Sequence, residues 1–235
     1  MIYRLKVFTI ILFLACLGNV AGAQVLAAYD LQTSAAGPSY AGNDNFGGNM
    51  GMDFDVNASN IQVTSLGLFD ANRDGFHNVL TAYLWNRDTQ TLLATQTFTP
   101  ADPGTLDGYH RFKTIPNLTL PTGHYTISSY GFVRTDAGND TYGNELHAGF
   151  VSDTFNTGGG VITAVGMERF TEAYLGPGLY PNQTVAGTTP LWSNTSSFQF
   201  IVPEPGVNAL LMCSGFAGSV IMMKRRRKPG TKAVR

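Results

Sequence analysis

The chain has 235 residues and only two cysteines, Cys16 and Cys213, both within apolar terminal runs. A domain cut out between them contains no thiol, so disulfides and thiol nucleophiles are excluded and core burial must supply its stability. Basic side chains are also scarce in the middle. Between Gln24 and Ile201 six of them face fifteen acidic ones, a balance of -9. No basic patch is left to neutralise a phosphate backbone, which excludes nucleic acid as a partner. Helical periodicity is missing too: after Gln24 no long window repeats apolar residues at i, i+3, i+4 and i+7. No serine sits in a G-x-S-x-G elbow and no glycine-rich loop joins a strand to a helix, which removes the usual signals for nucleophilic hydrolysis and nucleotide binding.

What is present begins with a leader. Arg4 and Lys6 precede an apolar stretch from Val7 to Leu17, followed by Ala21-Gly22-Ala23. Small residues at the first and third places of that triplet fit signal peptidase, so residues 1–23 read as a signal peptide cleaved after Ala23. Leu14 stands where a lipoprotein signal carries a small residue, which argues against Cys16 as a lipid acceptor.

Residues 24–202 read as one exported all-β domain, an antiparallel β-sandwich or jelly roll, because apolar side chains recur with period two and Gly, Pro and Asp separate the runs. The expected strands are Gln24 to Leu31, Met52 to Val56, Ile61 to Phe69, Leu80 to Trp85, Thr91 to Phe98, Tyr109 to Ile115 and His124 to Phe132, closed by Ser196 to Val202. Ile61 to Phe69 reads as covered on both faces, with Ile61, Val63 and Phe69 on one and Leu66 and Leu68 on the other. Asp53 and Asp55 alternate with apolar neighbours and read as a wet strand face. Pro116 to Gly123 reads as a connection. Arg134 to Tyr180 reads as a long excursion carrying one hairpin, with short strands at Leu146 to Val151, Val161 to Val165 and Met167 to Tyr174. Its aromatics, Tyr142, Phe150, Tyr174 and Tyr180, together with Tyr130, Phe132 and Trp192, are the candidates for stacking on sugar rings.

The C-terminus has the most specific pattern. Val202-Pro203-Glu204-Pro205-Gly206 precedes seventeen uncharged residues, Val207 to Met223, and then Lys224, Arg225, Arg226, Arg227 and Lys228. Two prolines within three residues keep the first segment out of a helix interior. Seventeen residues of helix measure about 25 Å, near the lower limit for a bilayer, and the basic stop keeps the tail from 229 to 235 cytoplasmic. This order resembles the PEP-CTERM sorting signal of Gram-negative bacteria, with residues 203–228 as motif, transmembrane helix and basic stop. The resemblance implies handling by exosortase, a membrane-embedded transpeptidase, with cleavage near the motif. It also implies transient anchoring in the inner membrane, then a cell-surface or extracellular place in exopolysaccharide or biofilm matrix. Leu66 to Asp70, Asp74 to Phe76, Tyr83 to Asn86 and Leu92 to Thr95 are similar to an all-β domain of unknown function in other exported bacterial surface proteins.

Few residues point to chemistry. Asp70, Asn72 and Asp74 have the D-x-N-x-D-G spacing of a calcium loop, but Thr81 stands where the bidentate carboxylate belongs and strands flank the loop. No metal or other cofactor is therefore assigned, with calcium at this loop as the alternative. His77, His110, His124 and His147 lack partner spacing for zinc. Glu168 and Glu172, like Asp53 and Asp55, read as surface acids rather than a glycosidase pair. The sequence thus describes a non-enzymatic exported protein with a structural or adhesive role. The alternative is a carbohydrate-binding module, calcium-assisted.

Overall fold

The computed structural model describes residues 24–31, 47–70, 73–132, 153–172, 175–184 and 195–202, all within the compact unit Gly22–Val202. The leader, the Pro-Glu-Pro motif, the apolar run and the basic stop lie outside the described residues, as does the strand expected at Leu146 to Val151. Among the described residues no helix is long and apolar enough to cross a membrane.

The described chain is all-β. In chain order its strands are β1 (Val25–Ala27), β2 (Tyr29–Leu31), β3 (Met50–Val56), β4 (Ile61–Phe69), β5 (Leu80–Asn86), β6 (Thr91–Phe98), β7 (Thr105–Asp107), β8 (His110–Leu120), β9 (Gly123–Tyr130), β10 (Asp153–Phe155), β11 (Ile162–Phe170), β12 (Gln183–Thr184) and β13 (Ser196–Ile201). Five form one sheet in the order β1-β13-β4-β8-β7 and six form a second in the order β12-β11-β3-β9-β5-β6, with β2 and β10 paired separately. Every pairing is antiparallel.

The two curled sheets share one core. Period-two patterning aims Met52, Phe54 and Val56 of β3, Tyr125 and Ile127 of β9, and Ala82 and Leu84 of β5 inward, against Phe198 and Phe200 of β13. Phe54 lies 4.6 Å from the Phe198 ring centroid and 5.6 Å from that of Tyr125. The Phe54–Phe198 contact joins the two sheets without any covalent link, and Tyr125 flanks it from the strand paired with β3. Along one side, Lys113 Nζ donates to the Thr97 carbonyl at 2.9 Å and Gln96 Nε2 to the Thr114 carbonyl at 3.3 Å, fastening β8 to β6 across the gap between sheets.

Four sequence expectations change. Ile61, Val63, Leu66 and Leu68 all enter the same core rather than opposite faces. The reason is a bulge: Phe200 pairs with Val63 and Gln199 with Ser65, so Thr64 is an extra residue that reverses the alternation of β4. The strand expected to stop at Ile115 continues through Pro116 to Leu120, with Pro116 placed where the β4–β8 register breaks and no ladder donor is needed. Gln24 to Leu31 is two strands, broken at Ala28, whose N–H bonds to the Phe198 carbonyl while its own carbonyl accepts from Asn156. The described part of the supposed excursion belongs to the fold. β11 is a nine-residue strand paired to β3, and the two short strands expected there are its halves on either side of a bulge at Gly166, whose φ is 77°.

Candidate functional site

The same alternation that fills the core sets a second group of side chains on the opposite face of the six-stranded sheet. Asp53 of β3, Thr126 of β9 and Trp85 of β5 are register partners in one row; Gly51, Ser128 and Tyr83 form the next. At Gly51 a Cβ would approach the Ile127 carbonyl to 2.3 Å, so no larger residue fits without moving backbone.

Asp53 is 1% exposed. Arg169 Nε donates to both of its carboxylate oxygens at 2.6 Å, the Thr126 hydroxyl donates at 2.6 Å, and Arg87 Nη1 lies 3.3 Å away. Arg87 also reaches Asp55 through Nη2 at 2.9 Å. A buried carboxylate loses its hydration, and such a site is tolerable only when charged partners and hydrogen bonds replace the water. Here two guanidinium groups and a hydroxyl do so. Asp53 and Asp55 share a face as expected, but Asp53 is covered rather than wet, because arginines from β11 and the β5–β6 turn close over it.

Above this network lies the segment 175–182. Tyr180 places its ring centroid 5.6 Å from the Arg169 guanidinium and 5.7 Å from the Trp85 ring, and its hydroxyl lies 3.3 Å from that of Thr126. Trp85 Nε1 donates to Ser128 Oγ at 2.8 Å. Gly176 and Gly178 take φ values of 89° and 75°, a turn that L side chains rarely adopt. Asn49 Nδ2 holds the Gly176 carbonyl at 3.1 Å. Burial raises the pKa of Tyr83, while hydrogen bonds from the Thr81 side chain and the Gly178 backbone oppose the rise. The face is therefore strapped: Tyr83 and Trp85 are buried, and Tyr180 is the half-buried ring above them.

The second acidic position is Asp70, also buried. Its Oδ2 accepts from Arg111 Nε at 2.5 Å and from the Gly75 N–H at 3.0 Å, while its backbone N–H bonds to the Tyr109 carbonyl at 2.7 Å. Arg111 further donates to the carbonyls of Arg73 and Gly104, and the Arg73 guanidinium sits 4.0 Å over the Tyr109 ring. The glycine of the D-x-N-x-D-G spacing thus does turn the chain, with φ of 103°, and its N–H caps the first aspartate. Asp70 Oδ1 is buried with no hydrogen-bond partner. Asn72 lies outside the described residues, and Asp74 is exposed, 3.8 Å from His77.

The other candidates are dispersed. His110 is buried, His124 pairs with Asp88 at 3.1 Å on the surface, and His147 lies outside the described residues. Among the described residues no group of three or more His, Cys, Asp or Glu could hold a metal. Phe132 is core and Tyr130 half-buried, while Tyr142, Phe150, Tyr174 and Trp192 lie outside the described residues, as do Pro203, Glu204, Pro205 and Lys224 to Lys228. The Glu168 side chain is likewise not described, and Glu172 is exposed. Sequence reasoning missed Arg87, Arg169, Trp85 and Thr126. No sequence pattern marks them: Arg169, for example, lies 116 positions from Asp53 and meets it only because β11 pairs with β3. Comparison of the chain with models of protein families, with curated proteins and with solved structures finds no match.

Proposed function

We propose that the chain is an exported, non-catalytic protein of the cell surface or extracellular matrix, with a structural or adhesive role in exopolysaccharide or biofilm. In this reading the two-sheet domain is a β-sandwich or jelly-roll-like body, flanked by the signal peptide 1–23 and the sorting signal 203–228 with its transmembrane helix, and an exosortase-type transpeptidase cleaves near the motif. The observation that carries it is the C-terminal order of Pro203-Glu204-Pro205, an uncharged run and a basic stop. The leader supports it, because both terminal patterns put the domain on the same side of the membrane. A thiol-free domain held by burial and buried ion pairs also suits a compartment outside the cell. Replacing Pro203, Glu204 and Pro205 by alanine should leave export intact and retain the protein in the inner membrane. Release equal to that of the parent would refute the sorting role.

A carbohydrate-binding module, calcium-assisted, is the second reading. What favours it is the partly exposed Tyr180 ring between Trp85 and Arg169, since an aromatic face beside a charged hydrogen-bonding group is the chemistry that holds a sugar. The calcium component has weaker support, because the Arg111 guanidinium already lies against Asp70. A glycan screen with the parent and Tyr180→Ala separates the readings: binding lost in the variant favours the module, and no binding by the parent removes it.

A further inference from the structure

We infer that the outer face of the six-stranded sheet takes a polysaccharide of neutral, hydroxyl-rich sugars, held on a hydrogen-bonding floor of Asp55, Thr163 and His124 beside the Tyr180 ring. The inference rests on the carbohydrate-binding reading above and adds to it the class of sugar and a second set of contacts.

The floor follows from register. Thr163 of β11 pairs with Asp55 of β3, and Asp55 pairs with His124 of β9, so three polar side chains stand in one row on one face. Asp53 and Thr126 form the row two residues along, a step of about 7 Å. What separates the two rows is cover. Arg169 and Arg87 close over Asp53, and the Tyr180 hydroxyl reaches Thr126. In the next row Thr163 and His124 are exposed, and the Asp55 side chain is 32% exposed. A half-buried aromatic ring over one row thus adjoins an open polar row.

The floor also has hydrogen-bonding capacity to spare. Asp55 takes Arg87 Nη2 on its Oδ1 at 2.9 Å, and among the described residues no donor reaches its Oδ2. Thr163 Oγ1 accepts from Asn57 Nδ2 at 2.6 Å, which leaves the hydroxyl proton to donate outward. Asn57 Nδ2 is itself fixed by the Gly160 carbonyl at 3.2 Å. A carboxylate acceptor beside a hydroxyl donor suits neighbouring sugar hydroxyls, each of which can give one hydrogen bond and accept another, and the bond to the carboxylate is the stronger of the two.

Charge decides which sugar fits. The guanidinium groups of Arg87 and Arg169 face three carboxylates, those of Asp53, Asp55 and Asp88, and His124 lies against Asp88. Both arginines are already matched by aspartates, so a sugar carboxylate, sulfate or phosphate would find no unpaired cation here, in a domain whose balance is -9. An uncharged sugar meets no such repulsion.

The test is affinity electrophoresis of the detergent-solubilised full chain in native gels cast with dextran, glucomannan or galactomannan as neutral polymers, or with alginate as a carboxylated one. A neutral polymer should retard the chain and alginate should not. Asp55→Ala should weaken the retarding affinity about tenfold or more, the worth of one hydrogen bond to a charged group, and Thr163→Val should weaken it severalfold. Both substitutions lie at the surface, and Arg87 keeps Asp53 as a partner, so the melting temperature of each variant should stay near that of the parent. Stronger retardation by alginate than by the neutral polymers overturns the sugar class. Retardation that is lost in Tyr180→Ala but unchanged in Asp55→Ala and Thr163→Val overturns the floor and leaves the carbohydrate reading standing. No retardation by any of the polymers overturns both.

Discussion

Asp53 and Asp70 are both buried aspartates bound by arginine, yet they are built differently. Asp53 is saturated, with donors from β11, β9 and the β5–β6 turn on its two oxygens. Asp70 has both of its donors, Arg111 Nε and the Gly75 N–H, on one oxygen, and the other is buried without a partner. The first carboxylate is a clamp that joins three strands and carries the 175–182 strap. The second organises a single connection. Burial alone therefore does not mark a functional acid; the number of its donors and the elements that supply them decide what it holds together.

Removing each carboxylate sharpens the comparison. Asp53→Ala leaves two guanidinium groups crowded on a covered face, and breaking a buried pair in this way costs about 3–5 kcal/mol. Urea denaturation should show a loss of that size. Asp70→Ala should cost less, about 1–3 kcal/mol, because Arg111 keeps the carbonyls of Arg73 and Gly104 as acceptors. Equal losses would break the distinction. Tyr180→Ala should cost about 1 kcal/mol, the ring contacts alone, and should raise hydrogen exchange at residues 176–180 while strand protection persists.

Alkaline pH probes the clamp from inside. Burial chiefly, and the charge of Asp53 secondarily, raise the pKa of Tyr29 far above its ordinary 10.0. The unfolded chain releases this phenolic proton near pH 10 while the folded chain retains it, so the folded state binds more protons and stability falls as pH climbs past 10. Below that pH the contribution is fully present. A plot of melting temperature against pH should bend downward above 10 and bend less in Tyr29→Phe. The smallest expected effect is that of calcium. With Arg111 on Asp70, added calcium should leave the melting temperature unchanged; a rise abolished by Asp70→Asn would instead make the unpartnered oxygen a metal ligand.

These two acids also show what the sequence could convey. The D-x-N-x-D-G spacing drew attention to Asp70 and correctly implied a tight glycine turn. It could not reveal Arg111, which lies 41 positions away and meets Asp70 only because β4 pairs with β8. Asp53 looked like an ordinary wet strand residue, since alternation gives the face of a side chain and not what covers that face. Its cover comes from Arg169, 116 positions away on a strand broken by Gly166 and read as a short strand of an excursion outside the sandwich. The core was more legible, because Phe198, Phe200, Met52 and Phe54 obey period two. It misled at Thr64 and Pro116, where register shifts change the count.

The central claim is that the domain is exported and then released from a transient anchor. Its most direct test is the intact mass of the protein recovered from outside the cells. That species should start at Gln24 and end near Pro203-Glu204-Pro205. A mass that still includes Met223 and the basic residues from Lys224 onward would contradict it.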